Sequence, residues 1–340
     1  MPRKTQQNNI TSPDLLEQIN PDNKQLLEDY VLYLESVQRS PKTISSYKND
    51  LEIFFIWALR HAKNKFFVDI TKRDIIAYQN WLLTVNKNSP ARIRRLKSTL
   101  SSLANYIEAV CDEDYPNFRN FINKIESPVN TPVREKTVLS DEQCALLLKT
   151  LVDNKKYDKA CMAALAMSSG RRKAELVRYK VHYFDDENII YGSLYKTPEK
   201  MKTKGRGGGK MLTCYTMVKD FKPYFDLWME ERKRRGIESE WLFPDKNDPT
   251  QHMNPDTLNS WSLTYSNILG VPVYIHAFRH RFTTHLAVLG LPDNIIQSIL
   301  GWSDISLVSV YKDIDAEDEF ADYFSEDGIV AKEKTKLSDL

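Results

Sequence analysis

Helix start signals, each followed by apolar residues at a spacing of three to four, recur through the first third of the chain. Ser40-Pro41 and Ser89-Pro90 each place a proline at the first position of a helix, and Thr71 can cap a third helix. From residue 44 to residue 58 the apolar side chains keep the period of one buried helix face. The pattern predicts an all-helical domain at residues 24–125.

A chain of 340 residues is too long for one ordinary core, and a change of pattern marks where it divides. Residues 126–138 contain two prolines and no periodicity, which is typical of a linker. Residues 139–325 open with helical patterns, continue with short β-like segments (VHYFD, NIIYGSLY, KMKTK and KMLTCYTM), and return to helices. We therefore predict a mainly α fold with a small antiparallel β-sheet in the second domain, a polar tail at 1–23 and a C-terminal tail at 326–340.

Basic residues cluster along the chain although its net charge is only +2. One cluster follows Pro90 and a second runs from Lys196 to Lys210. A local basic surface can attract nucleic acid whatever the total charge, and the alternative is an ordinary solvated helix face. The residues predicted to contact DNA are Arg92, Arg94, Arg95, Lys97 and Lys202.

Several classes of protein are disfavoured by the composition. No apolar run approaches the ~20 residues that span a bilayer. The N-terminus is polar and lacks the apolar core of a signal peptide. The four cysteines are scattered and form no CxxC pair, as is usual for reduced thiols. We expect a cytoplasmic protein without a membrane partner.

Two arginines, a histidine and a tyrosine suggest phosphate chemistry that needs no metal. The guanidinium groups of Arg172 and Arg279 match phosphate oxygens in a bidentate manner. Tyrosine is a poor nucleophile unless its surroundings activate it, and Tyr311 beside two such cations is a candidate. The alternatives are a solvated basic patch around Arg172 and a core position for Tyr311.

The spacing of these residues resembles that of the tyrosine recombinases, the phage integrase family. The first box is Ser169-Gly170-x-Arg172-x-x-Glu175-Leu176, the second is His276-x-x-Arg279, and the third is Leu300-Gly301-Trp302 with Tyr311 nine residues later. The resemblance covers residues 24–325. It is specific in the second domain, whereas the first domain shares the helical type and the Ser40-x-x-Thr-Ile-x-x-Tyr start.

The resemblance implies a fold, a reaction and roles for residues. A helical SAM-like core-binding domain and a catalytic domain would close as a clamp around duplex DNA. Tyr311 would attack a scissile phosphate to form a 3′-phosphotyrosyl link, and Arg172 and Arg279 would stabilise the charge on the phosphate. His276 would accept the phenol's proton, and Glu175 would orient an arginine.

Two further positions follow from the same resemblance. Trp302 stands where most members carry histidine. Its indole N–H is only a donor, so it could bind a phosphate oxygen but not move a proton, and packing is the alternative. The catalytic lysine of the family lies on a β-hairpin, where Lys204 fits best, Lys202 next and Lys210 third. The nearby glycines do not form a P-loop because no Gly-Lys-Ser/Thr follows them.

The implied partners are double-stranded DNA, three further copies of the chain in a tetramer with a Holliday junction intermediate, and accessory factors. No cofactor or metal is expected, and the location is the nucleoid. Three alternatives share some of these features. They are a topoisomerase IB-like or telomere-resolving enzyme, a DNA-binding regulator with a degenerate site, and a purely structural helical protein.

Overall fold

The computed structural model describes residues 10–129, 138–203, 209–306 and 308, together with the backbone of residues 324–325 and 328–329. Tyr311 and Lys204 lie outside the described residues. The described chain falls into two compact units, one on each side of residues 130–137. Within the described residues, no helix is both long enough and apolar enough to cross a membrane.

The first unit is helical, and the predicted start signals are confirmed. The Ser40 side chain accepts a hydrogen bond from the backbone N–H of Thr43, and Ser89 accepts one from Arg92. Thr71 and Asp74 form a reciprocal capping box. The helices are α1 Pro13–Glu17, α2 Pro21–Ser36, α3 Pro41–His61, α4 Lys72–Thr84 and α5 Pro90–Val110, with 3-10 turns at Phe67–Asp69 and Ile122–Lys124.

Helical structure begins earlier than the periodicity predicts, since α1 and the first turn of α2 fall in the segment expected to be a polar tail. The start of α2 is marked by a helix N-cap, Asn20. The Asn20 side chain accepts from the N–H of Asp22, and its backbone N–H and side chain both bond Asn64. Ile19 is buried against the core. This short polar segment is therefore ordered by long-range contacts that periodicity alone does not register.

An aromatic cluster forms the centre of the first unit. Phe54 lies 5.1 Å from Tyr78 and 5.8 Å from both Trp57 and Phe67, measured between ring centroids. The edge-to-face pairs are favourable in addition to the apolar area they bury. Because Phe54 and Trp57 belong to α3 and Tyr78 to α4, the cluster joins these two helices.

The second unit is built around one buried helix. Residues 160–169 of α7 are all buried, and α7 packs against α6, α9 and α11. A helix that is apolar on all sides must be surrounded, so α7 is the axis of this unit. The helices are α6 Asp141–Asp153, α7 Tyr157–Ser169, α8 Lys173–Leu176, α9 Val218–Arg235, α10 Thr257–Leu269, α11 Ile275–Val288 and α12 Asp293–Leu300.

Short antiparallel strands accompany these helices, which confirms the predicted fold class. A sheet in the order β1-β2-β5 and a separate β3-β4 hairpin contain the strands β1 Ile189–Ile190, β2 Leu194–Lys196, β3 Met201–Lys202, β4 Met211–Leu212 and β5 Tyr215–Met217. The backbone of β6 Phe324–Ser325 pairs with that of β7 Gly328–Ile329. The segment VHYFD was expected to be a strand, and this is wrong. It forms a 3-10 turn at Val181–Phe184, with another at Asp186–Asn188, because the adjacent Tyr183 and Phe184 are both buried.

Candidate active site

A glycine at the end of α7 brings the first and third boxes together. Gly170 has a φ of +58°, and a Cβ at this position would lie 2.4 Å from Phe282 Cδ1 and 2.9 Å from Leu300 Cδ2. The left-handed backbone ends α7 and turns the chain toward the arginines, while the missing side chain lets α11 and α12 approach. The glycine of the first box is therefore required both by backbone conformation and by packing.

This requirement makes a testable prediction about stability. Gly170→Ala should lower the free energy of unfolding by roughly 2 kcal/mol or more, because it combines backbone strain with overpacking. Gly236→Ala is the matched control, since Gly236 also ends a helix with positive φ but has no atom within 4 Å of the added Cβ. It should cost only about 1 kcal/mol in urea denaturation. Equal losses for the two variants would show that packing at Gly170 is unimportant.

Glu175 is bonded to Arg172, the arginine of the first box. Its carboxylate accepts two bonds of 3.1 Å, one from Arg172 Nη1 and one from the backbone N–H of the same residue. The Glu175 side chain is 2% exposed, whereas that of Arg172 is 33% exposed. The buried Glu175 carboxylate thus fixes one edge of the partly exposed Arg172 guanidinium. Arg172 therefore loses less conformational entropy when it binds a phosphate.

Arg279 connects all three boxes. Its side chain is fully buried. Nη1 donates to the carbonyl oxygen of Gly170 at 2.8 Å, and Nη2 donates to that of Leu300 at 3.2 Å. Its Cζ lies 4.9 Å from the ring centroid of Trp302, in cation–π range. Residues more than a hundred positions apart in sequence therefore meet at one guanidinium.

His276 lies one turn before Arg279 at the start of α11, as the spacing predicts. Its ring centroid is 5.3 Å from that of His280. Burial of the ring, together with the positive charges of His280, Arg279 and Arg172, lowers the pKa of His276 from 6.5 to about 4. The imidazole is therefore neutral at neutral pH and able to accept a proton.

Trp302 packs beneath the site at the end of α12. It is 6% exposed, and its backbone N–H donates to the Gln297 carbonyl at 3.1 Å, as the left-handed Gly301 closes the helix. The contact with Arg279 supports the packing interpretation of this residue. Its predicted hydrogen bond to phosphate stays a prediction.

The hairpin predicted to carry the catalytic lysine is fixed at its base. Both the backbone N–H and the hydroxyl of Thr203 donate to the Lys210 carbonyl, at 2.7 and 2.9 Å. Arg178 Nη1 donates to the Lys202 carbonyl at 2.8 Å. The side chains of Lys202 and Lys210 are exposed on either side of residues 204–208. No motif or spacing in the sequence indicates that Arg178 supports this hairpin.

The basic cluster of α5 has intramolecular partners as well as exposed surface. Arg92 Nη2 lies 2.8 Å from Asp50 Oδ1, and Arg95 Nε lies 3.4 Å from Asp50 Oδ2. Asp50 is buried in α3. The sequence contains a signal for this, because a single acid within an apolar helix face needs a basic partner when it is buried. Arg95 also bonds the Ser46 hydroxyl. The side chain of Arg95 is 52% exposed, which leaves it accessible to DNA. The predicted DNA contact stays a prediction.

Two other members of that cluster hold the segment that follows the helical unit. Arg94 Nε donates to the Pro128 carbonyl at 3.0 Å. Lys97 Nζ bonds the Ser127 hydroxyl at 3.0 Å and the Ile125 carbonyl, and burial lowers the pKa of this lysine. Lys97 is 9% exposed, so a contact with DNA would require it to leave these partners.

Sequence comparison places both units in one family. Residues 137–318 match the phage integrase family, and residues 26–116 match the SAM-like N-terminal domain of phage integrases. The SPbeta prophage-derived recombinase-like protein YomM of Bacillus subtilis (strain 168) is 30% identical over 275 residues, which cover 79% of this chain and 80% of YomM. The tyrosine recombinase XerA of Pyrococcus furiosus is 24% identical over 300 residues, covering 86% and 91%.

The fold agrees with this assignment. A lambda integrase tetramer bound to a Holliday junction has a chain that matches this structure with a TM-score of 0.59 and 16% identity, covering 85% of this chain and 77% of that one. The chain belongs to the phage integrase family and is a tyrosine recombinase, an enzyme that breaks and rejoins DNA at specific sites.

Proposed function

We propose that Tyr311 attacks a scissile phosphate of double-stranded DNA, forming a 3′-phosphotyrosyl link and releasing a 5′ hydroxyl. The observation that carries this proposal is the meeting of the three boxes at Arg279, whose guanidinium bonds the carbonyls of Gly170 and Leu300 and lies on Trp302. The tyrosine follows this assembled site by nine residues. The phosphodiester energy is kept in the new bond, so a 5′ hydroxyl from a partner duplex can reverse the step.

The charges of the site suit this reaction. Arg172 and Arg279 supply positive charge that is fixed before the phosphate arrives, and such preorganised donors act where charge develops in the transition state. Neutral His276 accepts the proton of the phenol as its oxygen bonds to phosphorus. A proton must also reach the leaving 5′ oxygen, and we assign that role to Lys204, with Lys202 as the alternative.

The assembly that we propose is a tetramer on two DNA sites with a Holliday junction intermediate. It is supported by the fold shared with lambda integrase, whose tetramer was determined on such a junction. DNA contacts are proposed for five basic residues: Arg92, Arg94, Arg95, Lys97 and Lys202. Accessory factors are proposed to determine which partner site is chosen. Action on chromosomal or mobile duplex DNA would place the protein at the nucleoid.

Covalent trapping tests the proposal. Duplexes bound by the protein are first selected from a pool of random sequences, then incubated with it in buffer that contains EDTA and denatured with SDS. We expect SDS-resistant adducts in which the protein is joined to the 3′ phosphate at one position of the duplex, and a 5′ hydroxyl that a polynucleotide kinase can label. Tight binding without adducts, or an adduct at a 5′ phosphate, would contradict the proposal.

The lowered pKa of His276 makes a prediction about pH. His276 acts as a base only when it is neutral, so the cleavage rate should hold as the pH falls to about 5 and drop near pH 4. His280→Asn should move that drop to higher pH, because the charge of His280 helps to lower the pKa of His276. Single-turnover cleavage rates between pH 4 and 8 measure this. A wild-type rate that falls with an apparent pKa near 6.5 would show that the surroundings of His276 do not lower its pKa.

A further inference from the structure

Arg171, the neighbour of the first-box arginine, is a buried cation for which the proposed reaction has no use. A solvated basic patch around Arg172 would include its neighbour Arg171, but Arg171 is only 1% exposed. Its Nη2 donates to the carbonyl oxygen of Ile299 in α12. A buried arginine so close to the site requires a physical explanation, since arginine is almost never fully buried unless it is paired.

Stability does not explain its burial. Within the described residues, Nε and Nη1 of Arg171 are both enclosed and have no hydrogen-bond partner. Enclosed donors without acceptors destabilise a fold, and a methionine of similar length would fill the same space at no such cost. Within the described residues, the bond from Arg171 to the Ile299 carbonyl is therefore better explained by the group that it holds in position than by a gain in stability.

That bond reaches the end of the helix that leads into the third box. Ile299 and Leu300 are the last residues of α12, where carbonyl groups lack partners within the helix. Arg171 bonds the first of these carbonyls and Arg279 bonds the second. Two guanidinium groups thus cap consecutive carbonyls, and a cation is favourable at this end of a helix.

The same guanidinium lies at the junction with the hairpin. A Cβ on Gly301 would lie 2.4 Å from Leu212 Cδ1 of β4 and 3.7 Å from Arg171 Nη1. Burial raises the pKa of the Cys214 thiol, which follows β4, and the charge of Arg171 opposes that rise. The first box, the third box and the strand after residues 204–208 therefore converge on Arg171.

We infer that Arg171 is a positioning residue that fixes the carboxyl end of α12, and with it the start of the segment that leads to Tyr311. The inference rests on the proposed function, because it concerns the placement of the proposed nucleophile. Arg171 does not touch the reacting phosphate. It keeps the third box in contact with the first box and with the hairpin. Loss of Arg171 should therefore slow cleavage, because the third box would shift, without weakening DNA binding.

The test compares Arg171→Met with Arg171→Lys and a matched control. The control is Arg232→Met, which also removes a buried arginine that bonds backbone carbonyls, those of Ser239, Trp241 and Leu242, away from the three boxes. Three quantities are measured for each variant: the unfolding temperature, the Kd for a duplex selected by the wild type, and the single-turnover rate of adduct formation on that duplex.

Arg171→Met should keep its unfolding temperature and Kd while its cleavage rate falls about 10- to 100-fold, as expected for a small misplacement of reacting groups. Arg171→Lys should recover part of the rate, because it keeps the charge. Arg232→Met should show the opposite behaviour, with a lower unfolding temperature and an unchanged rate for the folded protein.

Two results would overturn the inference. One is a wild-type cleavage rate for Arg171→Met. The other is a parallel loss of stability, binding and cleavage in that variant, as for a simple core residue. If the wild type binds its selected duplex but forms no adduct, the proposed function itself fails, and this inference with it.

Discussion

Tyr311→Phe is expected to abolish covalent protein–DNA adducts while leaving the affinity for DNA unchanged. The substitution removes only the oxygen that would bond to phosphorus. Loss of a covalent nucleophile removes the whole reaction path, so the rate should fall by about 10⁴-fold or more. The rate of SDS-resistant adduct formation and the Kd from mobility shift, both on the same selected duplex, measure the two effects separately.

Tyr191→Phe is the control for this experiment, because Tyr191 is 77% exposed in the same unit and belongs to no box. Its adduct formation should equal that of the wild type. Mass spectrometry of nuclease-treated adducts should find the nucleotide remnant on the peptide that contains Tyr311. Adducts in the Tyr311→Phe protein, or a remnant on another peptide, would move the nucleophile elsewhere.

Arg279→Met should cause the second large effect, on both the reaction and the fold. It removes a positive charge from the site, which should slow cleavage by about 10³-fold. It also leaves the carbonyls of Gly170 and Leu300 without their donor, which should lower the free energy of unfolding by about 2 kcal/mol. Urea denaturation and single-turnover cleavage measure the two losses.

Arg279→Lys separates the two roles of this residue. Lysine keeps the charge but cannot donate to two carbonyls in the fixed geometry of a guanidinium. A variant that cleaves at the wild-type rate while losing stability would show that the positive charge is sufficient for cleavage and that the two carbonyl bonds serve only to hold the boxes together. A variant that stays slow at a concentration of DNA that saturates binding would support the phosphate contact.

Much of the helical unit could be predicted because its signals are local. Ser40, Thr71 and Ser89 cap the helices that they were expected to cap, since a cap needs only the next three residues. The order around Asn20 could not be predicted in this way, because its partner Asn64 is 44 residues distant. The segment Val181–Phe184 is a 3-10 turn rather than the expected strand, because its short run of apolar and aromatic residues (Val181, Tyr183 and Phe184) is compatible with either structure.

Spacing along the chain selects candidate residues for the site, but it does not indicate the contacts between them. It selects Arg172, Glu175, His276 and Arg279, and the structure brings the last of these onto the backbone of both other boxes. Nothing in the charge pattern distinguished buried Arg171 from its partly exposed neighbours Arg172 and Lys173. Burial is decided by where α12 and β4 pack, and the residues that decide it lie at a distance in sequence.

The buried carboxylate of Asp50 has a consequence for how DNA affinity responds to salt. Each cation that neutralises a phosphate releases a counterion and steepens the dependence of affinity on ionic strength. Arg92 and Arg95 share the single anion of Asp50, so the pair carries one net charge toward solvent. On the DNA contacts proposed for α5, the helix would release fewer counterions than its number of basic residues implies. Weaker attraction to arbitrary DNA would then give more weight to sequence-dependent contacts when the recombinase searches a genome.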